Sequence, residues 1–286
     1  MASDVIITKA SGKKERFENK KLRASLEHAG ATTILADQIV QEIEANLIEG
    51  MTTKLIYKKA YRLLSKAALP VAGRYHLKNG IMELGPSGFP FEKYLSEILA
   101  HQGYAVQVGN ILDGKCVRHE IDVIAEKADQ HFMIECKYHN SPGIACDVKI
   151  PLYIQARFID VEAQWKMMQG HGSKFHQGWV VTNTRFTTDA ISYGSCAGLK
   201  LVSLDYPNVG SLREMIEETG LYPITCLTTL TQQEKKSLLE RNVVLCKEIC
   251  HHPQYLRELN IPVNRIKNIL EEGNQLCHKL ISHDQH

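Results

Sequence analysis

His119-Glu120-Ile121-Asp122-Val123-Ile124-Ala125 and Phe132-Met133-Ile134-Glu135-Cys136-Lys137-Tyr138 decide how this chain is read. The two short apolar runs stand either side of the polar stretch Glu126 to Gln130. Branched and aromatic side chains dominate both, so the pattern predicts two antiparallel strands joined by a hairpin-like loop. Side chains alternate along a strand, which puts Glu135 and Lys137 on one face and turns Cys136 away. Asp122, on the partner strand, joins that face. Two carboxylates and one ammonium then converge on a small volume. Like charges repel there unless a cation lies between them, and oxygen donors suit a hard ion such as Mg²⁺ or Mn²⁺. Glu120 shares the Asp122 face and is a rival donor. A plain surface salt bridge between Glu135 and Lys137 accounts less well for charges beside the apolar run Phe132 to Ile134.

Upstream, Phe91-Glu92 opens an amphipathic helix that ends at Gly103-Tyr104. Glu92, Ile121-Asp122 and Glu135-Cys136-Lys137 together resemble the PD-(D/E)XK nucleases, most closely the Mrr-type restriction endonucleases. The resemblance implies a metal held by Asp122, Glu135 and the Cys136 carbonyl. It makes Glu92 a further acidic catalytic residue and Lys137 the group that orients the nucleophile or stabilises developing charge. It also implies DNA as partner, phosphodiester hydrolysis as reaction, and restriction or defence as role. A nuclease domain is expected over 89–205. Its strands fall at 104–108, at the Asp122 and Glu135 runs, at 179–181 and at 200–204, with helices at 91–101, 151–168 and 189–196. Arg157, His139, Asn140, Asn183, Thr184 and Arg185 are candidates for contact with substrate or phosphate.

Residues 1–88 read as a separate domain. Val5 to Lys9 and Lys14 to Phe17 predict a β-hairpin. Helical spacing then predicts four helices, from Glu18 or Asn19, over 33–47, from Thr52-Thr53, and over 71–84. The stretch Val5-x-x-x-Lys9-x-x-Gly12-x-x-Glu15-x-Phe17-x-x-x-Lys21-Leu22, with Gly50-x-x-Thr53-x-x-Ile56-Tyr57, resembles an ATP-cone. That is the nucleotide-sensing domain of ribonucleotide reductases and of their transcriptional repressor. The resemblance implies ATP or dATP as a regulatory ligand. Lys9 and Lys21 would grip phosphates, Glu15 and Glu18 would lie by base and ribose, and Thr53 and Tyr57 would line the pocket. The turn reads Lys9-Ala10-Ser11-Gly12 where the reductase form has Lys-Arg-Asp-Gly, which removes one arginine from the expected phosphate contacts. As a bare pattern, Lys13-Lys14-Glu15-Arg16 and Lys20-Lys21 are also what a solvated face looks like. No G-x-x-x-x-G-K-[ST] stretch occurs, so nucleotide hydrolysis at a P-loop is not expected.

Residues 206–286 predict a third, helical segment, with a capping-box pattern at Thr231 and Glu234 and a last helix over 264–281. This segment is expected to pack on the nuclease domain or to build an oligomer. Cys246, Cys250, His251, His252, Cys277 and His278 crowd it, but no paired C-x₂-C spacing occurs, which argues against structural zinc.

The fold class is therefore α/β and multidomain: a hairpin plus four-helix domain, a central α/β sheet and a helical C-terminal segment. With 286 residues, 44% hydrophobic and 23% charged, the composition is that of a globular protein. No apolar run approaches the roughly 18 residues of a membrane helix, and no signal peptide is visible. Eight scattered cysteines fit reduced thiols. These features predict a cytoplasmic protein without a membrane partner. A net charge of +2 leaves DNA contact to a local basic patch. Cutting both strands of a duplex takes two centres, and one D…ExK per chain therefore predicts a homo-oligomer. Two other readings share these residues: a nucleotide-responsive transcription regulator that binds DNA without cutting, and an RNase or nickase with the same centre.

Overall fold

The computed structural model describes residues 5–9, 11–167 and 175–278. Ala10, Met168 and the end of the last expected helix lie outside the described residues. The chain forms two compact units, one of residues up to Ile81 together with those from Tyr222, the other spanning Met82–Leu221. Among the described residues no helix is long and apolar enough to cross a membrane.

The first unit opens with the expected hairpin. Strands β1 (Ile6–Thr8) and β2 (Lys14–Arg16) pair antiparallel, with Gly12 at φ +82° in the turn. Helices α1 (Asn19–His28), α2 (Thr33–Ala45) and α3 (Thr53–Ala67) follow. Thr32 and Thr52 cap α2 and α3, each accepting a hydrogen bond from a backbone N–H of the first turn. The hairpin docks on the start of α3, where Thr8 N–H donates to Met51 O at 3.0 Å. Leu26, Ile43, Ala60 and Leu64 are among the fully buried residues of this core. Burial of each large aliphatic side chain contributes about 1.5–3 kcal/mol. The expected fourth helix is two pieces, α4 (Leu69–Tyr75) and α5 (Leu77–Met82). Pro70 sits in the first turn of α4, where its missing N–H costs nothing.

In the second unit, α6 (Phe89–His101) buries Phe91, Tyr94, Leu95, Ile98 and Leu99 on one face. Strands β3 (Ala105–Asp113), β4 (Arg118–Lys127) and β5 (Gln130–Lys137) form an antiparallel meander. The β4–β5 loop is two residues, Ala128 and Asp129, both at positive φ, the turn whose twist matches that of a hairpin. Next come β6 (Ala145–Cys146) and α7 (Lys149–Trp165). Then β7 (Phe175–Thr182), β8 (Arg185–Phe186), α8 (Thr188–Cys196) and β9 (Lys200–Val202) follow. The sheet order is β3-β4-β5-β7-β9, with β5, β7 and β9 parallel, and β6 pairs with β8 apart from it. Helices cross over between the parallel strands, so the middle of β5 is covered on both faces. Phe132, Met133 and Ile134 are accordingly all buried. Helix α9 (Leu212–Thr219) ends the unit with Gly220 in the left-handed region.

The chain then rejoins the first unit through a 3₁₀ turn (Ile224–Cys226) and helices α10 (Gln232–Glu240), α11 (Cys246–His251), α12 (Gln254–Glu258) and α13 (Val263–Cys277). The capping box of Thr231 and Glu234 is present. Thr225 Oγ1 donates to Gly80 O at 2.6 Å, and Arg74 Nη2 donates to Gln275 O and His278 O. Glu272 is buried and accepts from the N–H and hydroxyl groups of both Thr228 and Thr229, at 2.6–2.9 Å. The C-terminal helices thus close over α4 and α5.

Candidate active site and nucleotide site

Backbone pairing places the carboxylates. Val123 faces Ile134 across β4 and β5, the last pair of that register, and Asp122 and Glu135 are the next residues on the two strands. Asp122 is fixed there because its Oδ2 accepts from Cys136 N–H at 2.7 Å. The Cys136 thiol points to the other face and is buried, so this residue offers the site only its backbone. Lys137, two residues past Glu135, is held by Thr182 Oγ1, which donates to the Lys137 carbonyl at 2.7 Å. Glu92 stands in the first turn of α6, packed against Gly88, where an added Cβ would lie 3.0 Å from Glu92 Oε1.

These carboxyls feel one another's charge. Burial pushes the Glu92 carboxyl up to about 7, and the negative charges of Asp122 and Glu120 add to that. Glu135 is likewise pushed up to about 7 by burial and then by Asp122, with Arg157 and Lys137 opposing. Asp122 is raised by burial against the Cys136 N–H bond and the Arg157 charge. Burial is the largest cause of all three shifts, and neighbouring carboxylates add to each.

Arg157 is the residue the sequence misplaced. It was expected to reach phosphates from the long helix. It is buried instead, donating from Nη1 to Glu135 Oε2 at 2.7 Å and from Nη2 to the Glu120 carbonyl. One turn along α7, Asp160 accepts from Cys116 N–H (2.9 Å) and Val117 N–H (3.3 Å) and pairs with His119 Nε2 (2.8 Å). Hydrogen bonds from His119, then from Cys116 and Val117, hold the Asp160 carboxyl down at about 2. Gly114 lies so close that a Cβ there would sit 2.1 Å from Asp160 Oδ2. This latch ties α7 to the β3–β4 turn and so sets Arg157 against the site. The Asp113-Gly114 turn was visible in the sequence, but nothing local linked it to a residue on α7.

Asn183 is not displayed to substrate either. It is buried, accepts from His139 N–H at 2.8 Å and donates to His139 O at 2.9 Å, so it braces the loop beyond Lys137. His139 Nε2 meets Cys146 Sγ at 3.2 Å, and Asn140 Nδ2 donates to Pro86 O at 3.2 Å.

The donor set can be tested for a metal. Among the described residues no three His, Cys, Asp or Glu side chains form a ready-made cluster. Asp122, Glu135 and the Cys136 carbonyl supply oxygen only. Mg²⁺ is commonly held by one or two carboxylates, with water and substrate phosphate completing its shell, so this donor set fits it.

In the other unit, Lys9 Nζ pairs with Glu15 Oε2 at 2.7 Å and Lys21 Nζ with Glu18 Oε1 at 2.6 Å. Lys9, followed by Lys21 and Lys13, holds the Glu15 carboxyl below its usual range. The four charged candidates thus gather where the hairpin meets α1. Thr53 begins α3, beside β1. Tyr57 lies one turn on, its hydroxyl 2.5 Å from His76 Nδ1 and its ring stacked on Tyr75 and Tyr61, within a half-buried aromatic cluster.

Known proteins bear on both units. Residues 85–206 match the family described as a restriction endonuclease of the Mrr catalytic type, and residues 222–277 match the one described as AF1548-like, C-terminal. An uncharacterized protein of Archaeoglobus fulgidus is 33% identical over 183 residues, which is 64% of this chain and 99% of that protein. The solved structure described as that of a protein of unknown function, AF1548, is 31% identical with a TM-score of 0.54, covering 67% of this chain and 98% of that one. The chain belongs to the AF1548-like family, and it carries a Mrr-type, PD-(D/E)XK restriction-endonuclease-like domain.

Proposed function

We propose that this protein is a metal-dependent DNA endonuclease of restriction or defence type, governed by ATP or dATP bound in residues 1–88. The observation that supports it most is the Asp122 carboxylate bonded to the Cys136 N–H, beside Glu135 at the ends of the β4–β5 register, inside a Mrr-type domain and within Coulombic reach of Lys137. In this reading Asp122, Glu135 and the Cys136 carbonyl hold Mg²⁺ or Mn²⁺, and Glu92 adds charge for a second ion. Such an ion supplies Lewis acidity toward the scissile phosphate and lowers the pKa of water. The chain's own residues do the rest. Arg157 orients Glu135, the Cys136 N–H orients Asp122, and Lys137 places its ammonium where charge develops on the phosphate.

Lys9 and Lys21 are the phosphate-binding pair of the nucleotide site, and their present partners Glu15 and Glu18 turn to the ribose and base when a triphosphate displaces them. Without a P-loop the nucleotide acts by binding, which shifts an equilibrium only through different affinity for two states. Assembly of two or more copies brings the centres to both strands. The test is plasmid cleavage by wild type and Glu135→Ala with Mg²⁺ or Mn²⁺, with and without ATP or dATP. Cleavage by wild type alone supports the reading. Equal cutting by both proteins, or cutting in excess EDTA, refutes the centre. Tight DNA binding without cutting under any condition would instead favour a regulator.

A further inference from the structure

The C-terminal helices bring together thiols that the nuclease reading does not use. Helices α11 and α13 pack with their cysteines in register. Cys250 Sγ lies against Gly273, where an added Cβ would come within 2.9 Å of the sulfur, and it points to Leu270 O at 3.9 Å. One helical turn back along α11 is Cys246; one turn forward along α13 is Cys277. Those two face each other, and their thiols are hydrogen-bonded. Tyr222 brackets the pair. Its carbonyl accepts from Cys246 N–H at 2.9 Å, and its own N–H bonds the Cys277 sulfur. The Cys246 side chain is fully buried, its sulfur 3.2 Å from Pro223 O, whereas Cys277 is only partly buried at the end of its helix.

We propose that Cys277 and Cys246 are a thiol-modification site, in which Cys277 reacts with a low-molecular-weight disulfide and Cys246 resolves the adduct to an intramolecular disulfide. The division of labour follows from access. The partly exposed sulfur meets the reagent, and the buried one can be reached only by its neighbour. The bond from Cys246 also favours the thiolate of Cys277, lowering its pKa, with Lys247 and Arg74 adding to the effect. In the first step the Cys277 thiolate attacks one sulfur of the reagent. That S–S bond breaks, a protein–reagent disulfide forms, and one thiolate leaves. In the second step Cys246 attacks the Cys277 sulfur, and its proton goes to the departing second thiolate, which is released as a thiol. Two protein thiols are oxidised and one reagent disulfide is reduced to two thiols, so electrons and protons balance. The new bond would pin the end of α13, where Arg74 holds Gln275 O and His278 O and where Gly73 packs against Leu276. Oxidation therefore locks α11 to the end of α13, the helix that packs on α4.

The experiment uses the full chain, reduced, desalted and treated with oxidised glutathione. Alkylation, intact mass and peptide mapping then follow the thiols. The expected result is the loss of two hydrogens, a linked Cys246–Cys277 peptide, and a Tm raised by roughly 5–10 °C that reverts with dithiothreitol. Cys277→Ser should abolish the link and the Tm rise, while Cys196→Ser, at an exposed cysteine of the other unit, should retain both. A stable glutathione adduct on Cys277, a link between a different pair, or an unchanged thiol count at Cys277 would each overturn the proposal. If Cys277→Ser does not fold, mapping of the wild-type chain decides alone.

Discussion

Replacing Glu92 by Gln should stabilise this protein in mildly alkaline solution without metal. Glu92 is half-buried, its carboxyl pushed from 4.5 up to about 7 by burial and by the charges of Asp122 and Glu120. A carboxyl with a raised folded-state pKa binds its proton more tightly in the folded chain than in the unfolded one. Its contribution is therefore fully present below about 4.5 and is lost as pH rises through about 7. A displacement of that size corresponds to roughly 3 kcal/mol between the two protonation states. Solvent screening at a half-exposed position reduces it to about 1–2 kcal/mol. Among the described residues no cation pairs with Glu92, so the amide removes repulsion and orphans none of them. Thermal melts in EDTA at about pH 8.5 should place Glu92→Gln above wild type by roughly 2–8 °C, with a much smaller gap at about pH 5. Millimolar Mn²⁺ at the higher pH should narrow the gap, because a cation relieves the same repulsion. A variant at or below wild type at the higher pH, or an equal gap at both, would refute the charge-repulsion reasoning.

Arg157→Ala leaves the Glu135 carboxylate buried beside Asp122 with no guanidinium, and urea unfolding near neutral pH should show a loss of about 3–5 kcal/mol, less in Arg157→Lys. Gly114→Ala should loosen α7 and reduce metal affinity in calorimetry, since its Cβ would fall 2.1 Å from Asp160 Oδ2; wild-type affinity would mean that the Asp160 latch does not position Arg157. Glu272→Ala strips four donors of Thr228 and Thr229 of their acceptor. A stability loss of about 2–4 kcal/mol, with faster amide exchange at Thr228 and Thr229, is expected. Unchanged exchange there would show that water replaces the carboxylate.

What the sequence revealed was what short range determines. Alternation along two apolar runs was enough to set Asp122 and Glu135 on one face, because strand pairing converts sequence parity into direction. Thr52 and Thr231 cap helices because capping is a matter of three residues. Long-range choices left no such mark. Arg157 lies 22 residues beyond its partner Glu135, on a helix whose tilt is set by Asp160 and a glycine turn. The last expected helix domain gathers with α4 and α5 because Cys226 fits against Gly80 and Leu276 against Gly73, contacts between small and large residues that no periodicity announces. The break between α4 and α5 at His76 went unseen because apolar spacing continues through it. Asn183 looked like a displayed polar residue at a strand end, yet a strand end buried under a loop needs an amide to satisfy that loop's backbone.

The chain leaves the first unit after Ile81 and comes back to it at Tyr222, so the nuclease domain is an insertion within the other unit. Synthesis runs in one direction, at about 5–20 residues per second. The hairpin and its first helices therefore emerge early, yet α4 and α5 wait through the whole central domain for Thr225, Cys226 and Leu276. During that delay of roughly ten seconds the catalytic domain can fold complete while its neighbour is unfinished. A ribosome that stalls or a message cut short after the central domain would leave a finished Mrr-type domain tethered to a half-built partner with apolar helix faces uncovered. Quality control by proteases reads exposed apolar surface, so the order of translation itself would remove a chain whose first unit had never been completed.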